Sequence, residues 1–381
     1  MSAQDNIQTE IVVIGAGIAG ASVAAELAAT RQVVLLEMES QPGYHTTGRS
    51  AAVFAPCYGP APIRHLTRAS EAFFRNPPEG FSAAPLFSPR SILMIARPEQ
   101  VAALDQLTEA VSAETVVRRL QGAEVTQAQP LLREGYASDA MLDELGQDID
   151  VHALHQGFLR MFRARGGKLM TGAGVTALDR DGQDWRIETP QGQLRAPIVV
   201  NAAGAWAEEI GTLAGAERIG LTPKRRTALM VADHPDIATA ALPITVDVEE
   251  EFYLKPDAGR LLISPADETP SAPCDAQPEE LDIAICADRI MTAFDLEIRR
   301  IENSWAGLRS FVPDGAPVVG YSDRAPAFFW LAGQGGYGIQ SAPGMAQFAA
   351  SGILGQDVPS HIMETGFDPD SVRPGRLKAA A

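Results

Sequence analysis

The residues most able to do chemistry form a glycine-spaced turn with a carboxylate at a fixed distance beyond it. Gly15, Gly17 and Gly20 make a G-x-G-x-x-G turn, and Glu37 follows twenty-two residues after the first glycine. Gly15 permits the tight turn, Gly17 lets the backbone approach a pyrophosphate, and Gly20 brings helix and sheet together. Glu37 can accept hydrogen bonds from a ribose diol. Helix-terminal N–H groups and the helix dipole favour an anion at such a turn. That chemistry is dinucleotide binding, and the turn alone fits NAD and FAD equally.

Elements able to position these groups are legible around them. The β-branched run Ile11–Ile14 predicts a strand, 18–29 a helix, and Val33–Leu36 a second strand: a βαβ unit. Residues 41–52 are polar and glycine-dense, and predict a loop offering N–H and hydroxyl donors to phosphate. Helices are expected over 63–74, 98–112, 151–165 (N-capped by Asp148 or Asp150) and 278–293. Strands are expected over 91–96, 168–170, 174–178, 185–188, 194–200, 221–231, 252–255, 259–264, 297–308 and 328–332. The strand–small-residue–helix theme recurs at Gly204 and at Gly333, with the last helix expected to begin within 333–340. The economical arrangement is one parallel sheet visited three times, with a second, sheet-based domain from the intervening chain. Ligands in such sheets bind at the carboxyl ends of the strands.

Composition excludes several function classes. The 381 residues suffice for two domains, and their net charge of −17 argues against nucleic-acid and anionic-lipid partners. No apolar run reaches the ~18 residues that span a bilayer, and the polar start Met1–Asn6 does not read as a signal peptide. Cys57, Cys274 and Cys286 lack metal or disulfide-framework spacing, which fits a reducing cytoplasm. His152 and His155 share a helix face without a third ligand nearby, so packing or solvent is expected for them and no metal site is predicted. Residues 371–381 read as a fraying tail.

Eight segments in fixed order resemble the FAD-dependent D-amino-acid oxidase-like superfamily, which includes glycine oxidase, sarcosine oxidase and D-amino-acid dehydrogenases. They are G-A-G-I-A-G-A-S from Gly15, Q-P-G-Y-H-T-T-G-R-S-A-A from Gln41 and D-I-D-V-H-A-L-H-Q-G from Asp148. V-N-A-A-G-A-W follows from Val200, P-K-R-R from Pro223, F-Y-L-K-P-D-A-G from Phe252, W-A-G-L-R-S-F from Trp305 and G-Q-G-G-Y-G-I-Q from Gly333. Within the superfamily they are most similar to D-arginine dehydrogenase. The resemblance implies an α/β fold: a Rossmann-like, glutathione-reductase-type FAD domain (1–52, 143–217, 310–373) and an α+β substrate domain with an antiparallel sheet (53–142, 218–309), then a tail at 374–381. It implies FAD held by the fingerprint turn with Ala19, by Glu37 and Met38, along Thr46, Thr47, Gly48, Arg49, Ser50, Ala51 and Ala52, and by the Val175 backbone. Ala203, Gly204 and Trp206 would lie close, as would Gly333, Gly335, Gly336, Tyr337, Gly338, Ile339 and Gln340. His45 raises the question of a covalent flavin link; non-covalent binding is expected.

A flavin that accepts hydride from an amino acid needs the substrate's Cα–H held against its N5, and a guanidinium grips the carboxylate best. Read alone, Arg226 and Arg309 are surface charges of an acidic protein; the resemblance makes them the carboxylate clamp, and Tyr58 and Tyr253 the tyrosines that close over substrate. Gln340 joins this substrate set. The chain departs from D-arginine dehydrogenase at Ile92, where that enzyme has an acid, at Val53, where it has a histidine, and at Ala55, where it has a threonine. An apolar wall cannot offset desolvation of a cationic side chain. The expected reaction is oxidative deamination of D-amino acids with uncharged, apolar side chains to 2-oxo acids and ammonia, with no strong general base visible. A quinone or another carrier, rather than oxygen, is the expected acceptor. The alternatives are an O2-using oxidase of glycine or sarcosine, a 2-hydroxy-acid dehydrogenase, and a non-catalytic FAD-binding or tRNA-modifying module.

Overall fold

A computed structural model describes residues 7–380, with side chains through Leu377. Met1–Asn6, where the signal-peptide question fell, lie outside the described residues, as does Ala381.

The first βαβ unit forms as its sequence predicts, with strands at Ile11–Ile14 and Val33–Leu36 flanking a helix at Ile18–Leu27. It sits in a six-stranded sheet ordered Lys168–Met170, Val33–Leu36, Ile11–Ile14, Ile198–Asn201, Phe328–Ala332, Val318–Tyr321. The first five run parallel and the last antiparallel. All three strand–glycine–helix turns therefore leave the same edge of one sheet. Both faces are covered, which is why these strands read as continuous apolar runs. Ile11 and Val13 pack under the helices Ile18–Leu27, Val151–Ala164 and Ala342–Leu354. Val12 and Ile14 pack instead against Trp185, Ile187 and Leu194, which belong to a small four-stranded sheet.

Several boundaries differ from expectation. The single strand expected over 194–200 is two: Gly192–Ala196 in the small sheet and Ile198–Asn201 in the parallel one. Pro197 lies between them, and without an N–H it cannot continue a ladder. The strand expected at 174–178 begins at Ala177, and the extended run expected from 297 becomes a strand only at Asn303–Phe311. The helix expected to begin within 333–340 starts at Ala342, after an irregular glycine-rich stretch rather than within it, and a short helix at Ser360–Met363 follows it. Asp150 is the N-cap of Val151–Ala164, its carboxylate accepting from Ala153 N–H at 2.8 Å; Asp148 pairs with Lys255 and Arg90, each at 2.9 Å. Within the C-terminal stretch, a 3-10 turn forms over Pro374–Ala380. Arg376 bonds Asp314, and Leu377 packs against the core beneath the parallel sheet.

The second sheet has nine strands and is antiparallel except where Ile244–Asp247 runs parallel to Ile92–Ala96. Strand periodicity divides its residues cleanly. Leu93, Ile95, Leu229, Val231 and Ile263 face the helix Glu280–Ala293 through Cys286 and Ile290. Ile92, Met94, Ile244 and Tyr253 take the opposite face. The same alternation sorts Lys224-Arg225-Arg226. Arg225 goes to the helix face and pairs with Asp282 at 2.8 Å and with Glu279, while Lys224 and Arg226 go to the other.

Candidate active site

Long strands Thr222–Ala232 and Asn303–Phe311 pair antiparallel with Lys224 opposite Arg309 and Arg226 opposite Gly307. Directly opposed residues share a face, as do residues two apart on one strand. Arg226 and Arg309 are thus diagonal neighbours, and both line a cavity of about 720 Å³ beneath the sheet. Tyr58, Tyr253 and Gln340 line it too, and Val53 and Ile92 form part of its apolar wall. Seven of the predicted substrate residues therefore converge on one cavity. Met94, Ile244 and Val246 extend the apolar wall, and Glu250 stands at its polar end.

The two arginines differ. Arg309 has no carboxylate within ion-pair distance among the described residues. Burial works to deprotonate it, but the nearby Tyr58, Tyr253 and Glu250 oxygens more than offset this and hold its pKa above the ordinary arginine value. Its guanidinium lies flat against Gly336, where a Cβ would come within 2.7 Å of Nη1; only glycine leaves it that room. Arg226 is already engaged: its Nη2 lies 3.1 Å from Glu268 and 3.8 Å from Glu250. Tyr58 donates to Glu250 at 3.0 Å, and burial, then the Glu250 charge, pushes the phenol well up, so it stays protonated. Gln340 uses both ends of its amide on the 55–58 loop, accepting from Ala55 N–H at 2.9 Å and donating to Tyr58 O at 3.3 Å. It sets the loop that carries Tyr58.

Two further cavities, of about 930 and 950 Å³ including the space open to solvent, continue from this one along the edge where the parallel strands end. They share Gly17, Thr46, Thr47 and Gly204, so they form one elongated trough. Gly15 has φ +98°, and a Cβ there would meet Ala202 O at 2.5 Å, because the first and second turns touch at this point. The helix ladder begins with Ala21 N–H to Gly17 O at 2.9 Å, so N–H groups of the first turn point into the trough. Thr47 Oγ1 accepts from Ile18 N–H at 2.9 Å. Glu37 closes the far end, accepting from Ala16 N–H at 2.9 Å and Glu39 N–H at 3.0 Å. Burial raises its carboxyl pKa, and the two N–H groups hold it back.

Ala19, Ser50, Ala51, Gly335, Gly338 and Ile339 line the trough near the arginines. Met38, Val175, Ala203 and Trp206 line its other end beside Glu37. Ala52 lines the cavity of the two arginines instead. Gly20, Gly48, Gly333 and Tyr337 reach none of the three cavities. Gly20 serves packing, since a Cβ there would fall 1.8 Å from Gly15 O, and Tyr337 packs edge-on against Tyr58 at 4.9 Å between ring centroids. Arg49 lines the trough, but its guanidinium is taken by Ala276 O and Ala306 O, both at 2.9 Å, and by Asp275. His155 bonds Ala16 O at 2.9 Å beneath the fingerprint turn, and burial lowers its pKa.

Residues 10–351 match the family model described as FAD dependent oxidoreductase, DAO. The chain belongs to this family. FAD is the family's cofactor, and the residues present fit it: a glycine turn without room for side chains, a helix N-terminus aimed into the trough, and a carboxylate at its end. Mitochondrial dimethylglycine dehydrogenase of Mus musculus is 27% identical over 389 residues, covering 95% of this chain. The chain spans 44% of that relative's length. Among solved structures, L-proline dehydrogenase from P.horikoshii superposes with TM-score 0.84 at 20% identity, over 98% of this chain and 99% of that one. Glycine oxidase from Geobacillus kaustophilus gives 0.82 at 20% identity, over 92% and 96%. These two likenesses establish the fold.

Sequence reasoning missed Glu250, Glu268, Met94, Ile244 and Val246. Glu250 sits on a turn and Glu268 in an irregular segment, where no periodicity marks a residue. Ile244 and Val246 belong to a four-residue strand just after Pro243, too short to stand out.

Proposed function

We propose that this protein oxidises the C–N bond of a small amino acid whose carboxylate is held by Arg309. The reading chosen is oxidative deamination of D-amino acids with uncharged, apolar side chains, giving a 2-oxo acid and ammonia. When bound, FAD supplies the hydride acceptor, its N5. Arg309 would fix the carboxylate, Tyr58 and Tyr253 would shield it from water, and the wall of Val53, Ile92, Met94, Ile244 and Val246 would take the side chain. The Gly15–Gly20 turn, Glu37 and the 46–52 loop would hold the dinucleotide non-covalently, with Arg49 contributing through its backbone. The proposed division into an FAD unit and a substrate unit is supported by the six strands of the parallel sheet, which all fall within the first.

The observation that carries the reading is Arg309: a half-buried guanidinium with no carboxylate partner among the described residues, lining a chamber whose remaining walls are largely apolar. Such a cation is stabilised when an anion joins it. A second reading, oxidation of N-methylated glycines, is favoured by the likeness to dimethylglycine dehydrogenase. There the apolar chamber would take N-methyl groups instead of a side chain. The likeness to D-arginine dehydrogenase bears on neither, because Ile92 stands where a cationic side chain needs its counter-ion.

Anaerobic mixing of the flavoprotein with D- and L-amino acids, sarcosine, dimethylglycine and 2-hydroxy acids separates these readings. Bleaching of the flavin by apolar D-amino acids is the expected result. Bleaching only by N-methylglycines would select the second reading, and none by any carboxylate-bearing amine would overturn both. Admitting air afterwards identifies the acceptor, since slow reoxidation is expected if oxygen is not the natural one.

A further inference from the structure

We propose that Glu250 and Glu268 set the number of carboxylates this site accepts. By occupying Arg226 they leave one guanidinium, Arg309, for the substrate, and so restrict the reaction to amines with a single carboxylate. The inference rests on the reading above and adds a specificity determinant to it.

Arg226 and Arg309 line the same cavity, and two free guanidinium groups there would suit a dicarboxylate. They are not both free. Glu268 divides its oxygens between Lys224 Nζ at 2.7 Å and Arg226 Nη2 at 3.1 Å. The same Nη2 faces Glu250 at 3.8 Å. Arg226 is thus met by two anions, Glu250 and Glu268, whereas Arg309 has none within ion-pair distance among the described residues. A single carboxylate meets the free guanidinium of Arg309; a second would enter the cavity without a counter-ion, which is unfavourable.

The aim of Glu250 is built rather than incidental. Its φ is +57°, a left-handed conformation rare for a residue with a Cβ. The turn that imposes it is tied down by Asp247, which accepts from Glu249 N–H at 3.0 Å through its side chain and from Glu250 N–H at 2.8 Å through its carbonyl. Tyr58 donates to the same carboxylate oxygen that faces Arg226. Arg226 Nε is buried and has no hydrogen-bond partner, so the guanidinium keeps a donor that a second carboxylate would use once its present partners lost their charge.

The test uses FAD-loaded wild-type protein with Glu268→Gln and Glu250→Gln, each of which keeps a hydrogen-bonding amide in place. Propanoate and succinate are titrated against the flavin absorbance, which reads binding without turnover. Anaerobic flavin reduction is then compared for D-alanine with D-aspartate and for sarcosine with iminodiacetate. Wild type should prefer the monocarboxylate by at least about ten-fold, and either substitution should shrink that ratio by about ten-fold. Equal handling of mono- and dicarboxylates by wild type, or a ratio unmoved in both variants, would overturn the proposal while leaving the proposed function intact. Failure of every carboxylate to perturb or reduce the flavin would instead remove both.

Discussion

Replacing Arg309 by methionine is the most informative perturbation. Arg309 is half-buried and has no ion-pair partner among the described residues, so its removal orphans no internal charge there. The cost falls on the complex, in which the substrate carboxylate loses its fork. Truncating one partner of a buried, hydrogen-bonded charge pair costs about 2–5 kcal/mol, or about 30-fold to several thousand-fold at about 1.4 kcal/mol per decade. Arg226 stays nearby but is shared with Glu250 and Glu268, so only part of the loss can be recovered. A fall of about 100- to 1,000-fold in kcat/KM is therefore expected. Arg309→Lys should lie between, since it keeps charge without the fork. Stopped-flow anaerobic reduction separates the contributions. Because a carboxylate anchor acts on ground and transition states alike, the loss should appear mainly in the apparent Kd for substrate. A methionine variant that bound FAD normally and kept kcat/KM within about three-fold would refute this reasoning.

Four further outcomes are expected. Gly336→Ala should mimic loss of Arg309, because the new Cβ would lie 2.7–3.0 Å from three guanidinium atoms; steady-state kinetics on folded, yellow protein would check this. D-arginine and D-lysine should be at least about 100-fold poorer than D-valine in kcat/KM, since desolvating a cation beside Ile92 costs several kcal/mol. Acid precipitation should leave the flavin in the supernatant, as expected of a non-covalent cofactor; colour in the pellet would assign a covalent link, with His45 the first residue to examine. Glu114, gripped by Arg64 at 2.7 Å and Arg68 at 2.6 Å, has its carboxyl held down to about 2. A depressed folded pKa stabilises above the ordinary value near 4.5 and is lost as pH falls towards 2. Glu114→Gln should therefore lower stability at pH 7 by about 1–2 kcal/mol and flatten acid unfolding over that window, followed by urea titration.

Much of the cofactor trough was legible because its signals are local. A β-branched run, glycines at fixed spacing, a helical pattern and a distant acid fall within thirty residues, and the same grammar marked Gly204 and Gly333. What was lost is non-local. The pairing of Lys224 with Arg309 joins residues 85 apart, and no pattern within either strand sets that register. Sequence offered both arginines as equals; only three-dimensional neighbours show that Arg226 is compensated and Arg309 is not. Arg49 read only as one contact of the cofactor loop, whereas its guanidinium fastens that loop to the Asp275 carboxylate and to the Ala276 and Ala306 carbonyls. The break at Pro197 was visible in principle, since proline between two apolar runs ends a ladder. Residues 117–121 and 139–143 add strands to the large sheet, but their charged or exposed members hid the alternation.

The central claim is that Arg309 anchors the carboxylate of an incoming amine beside the flavin. A crystal structure of the FAD complex with a non-oxidisable carboxylate, such as propanoate or benzoate, tests it most directly. Carboxylate oxygens within hydrogen-bonding distance of the Arg309 guanidinium, with the rest of the molecule against Ile92 and the isoalloxazine, are the predicted result. An anion bound elsewhere, or an Arg309 turned away from the ring into solvent, would contradict it.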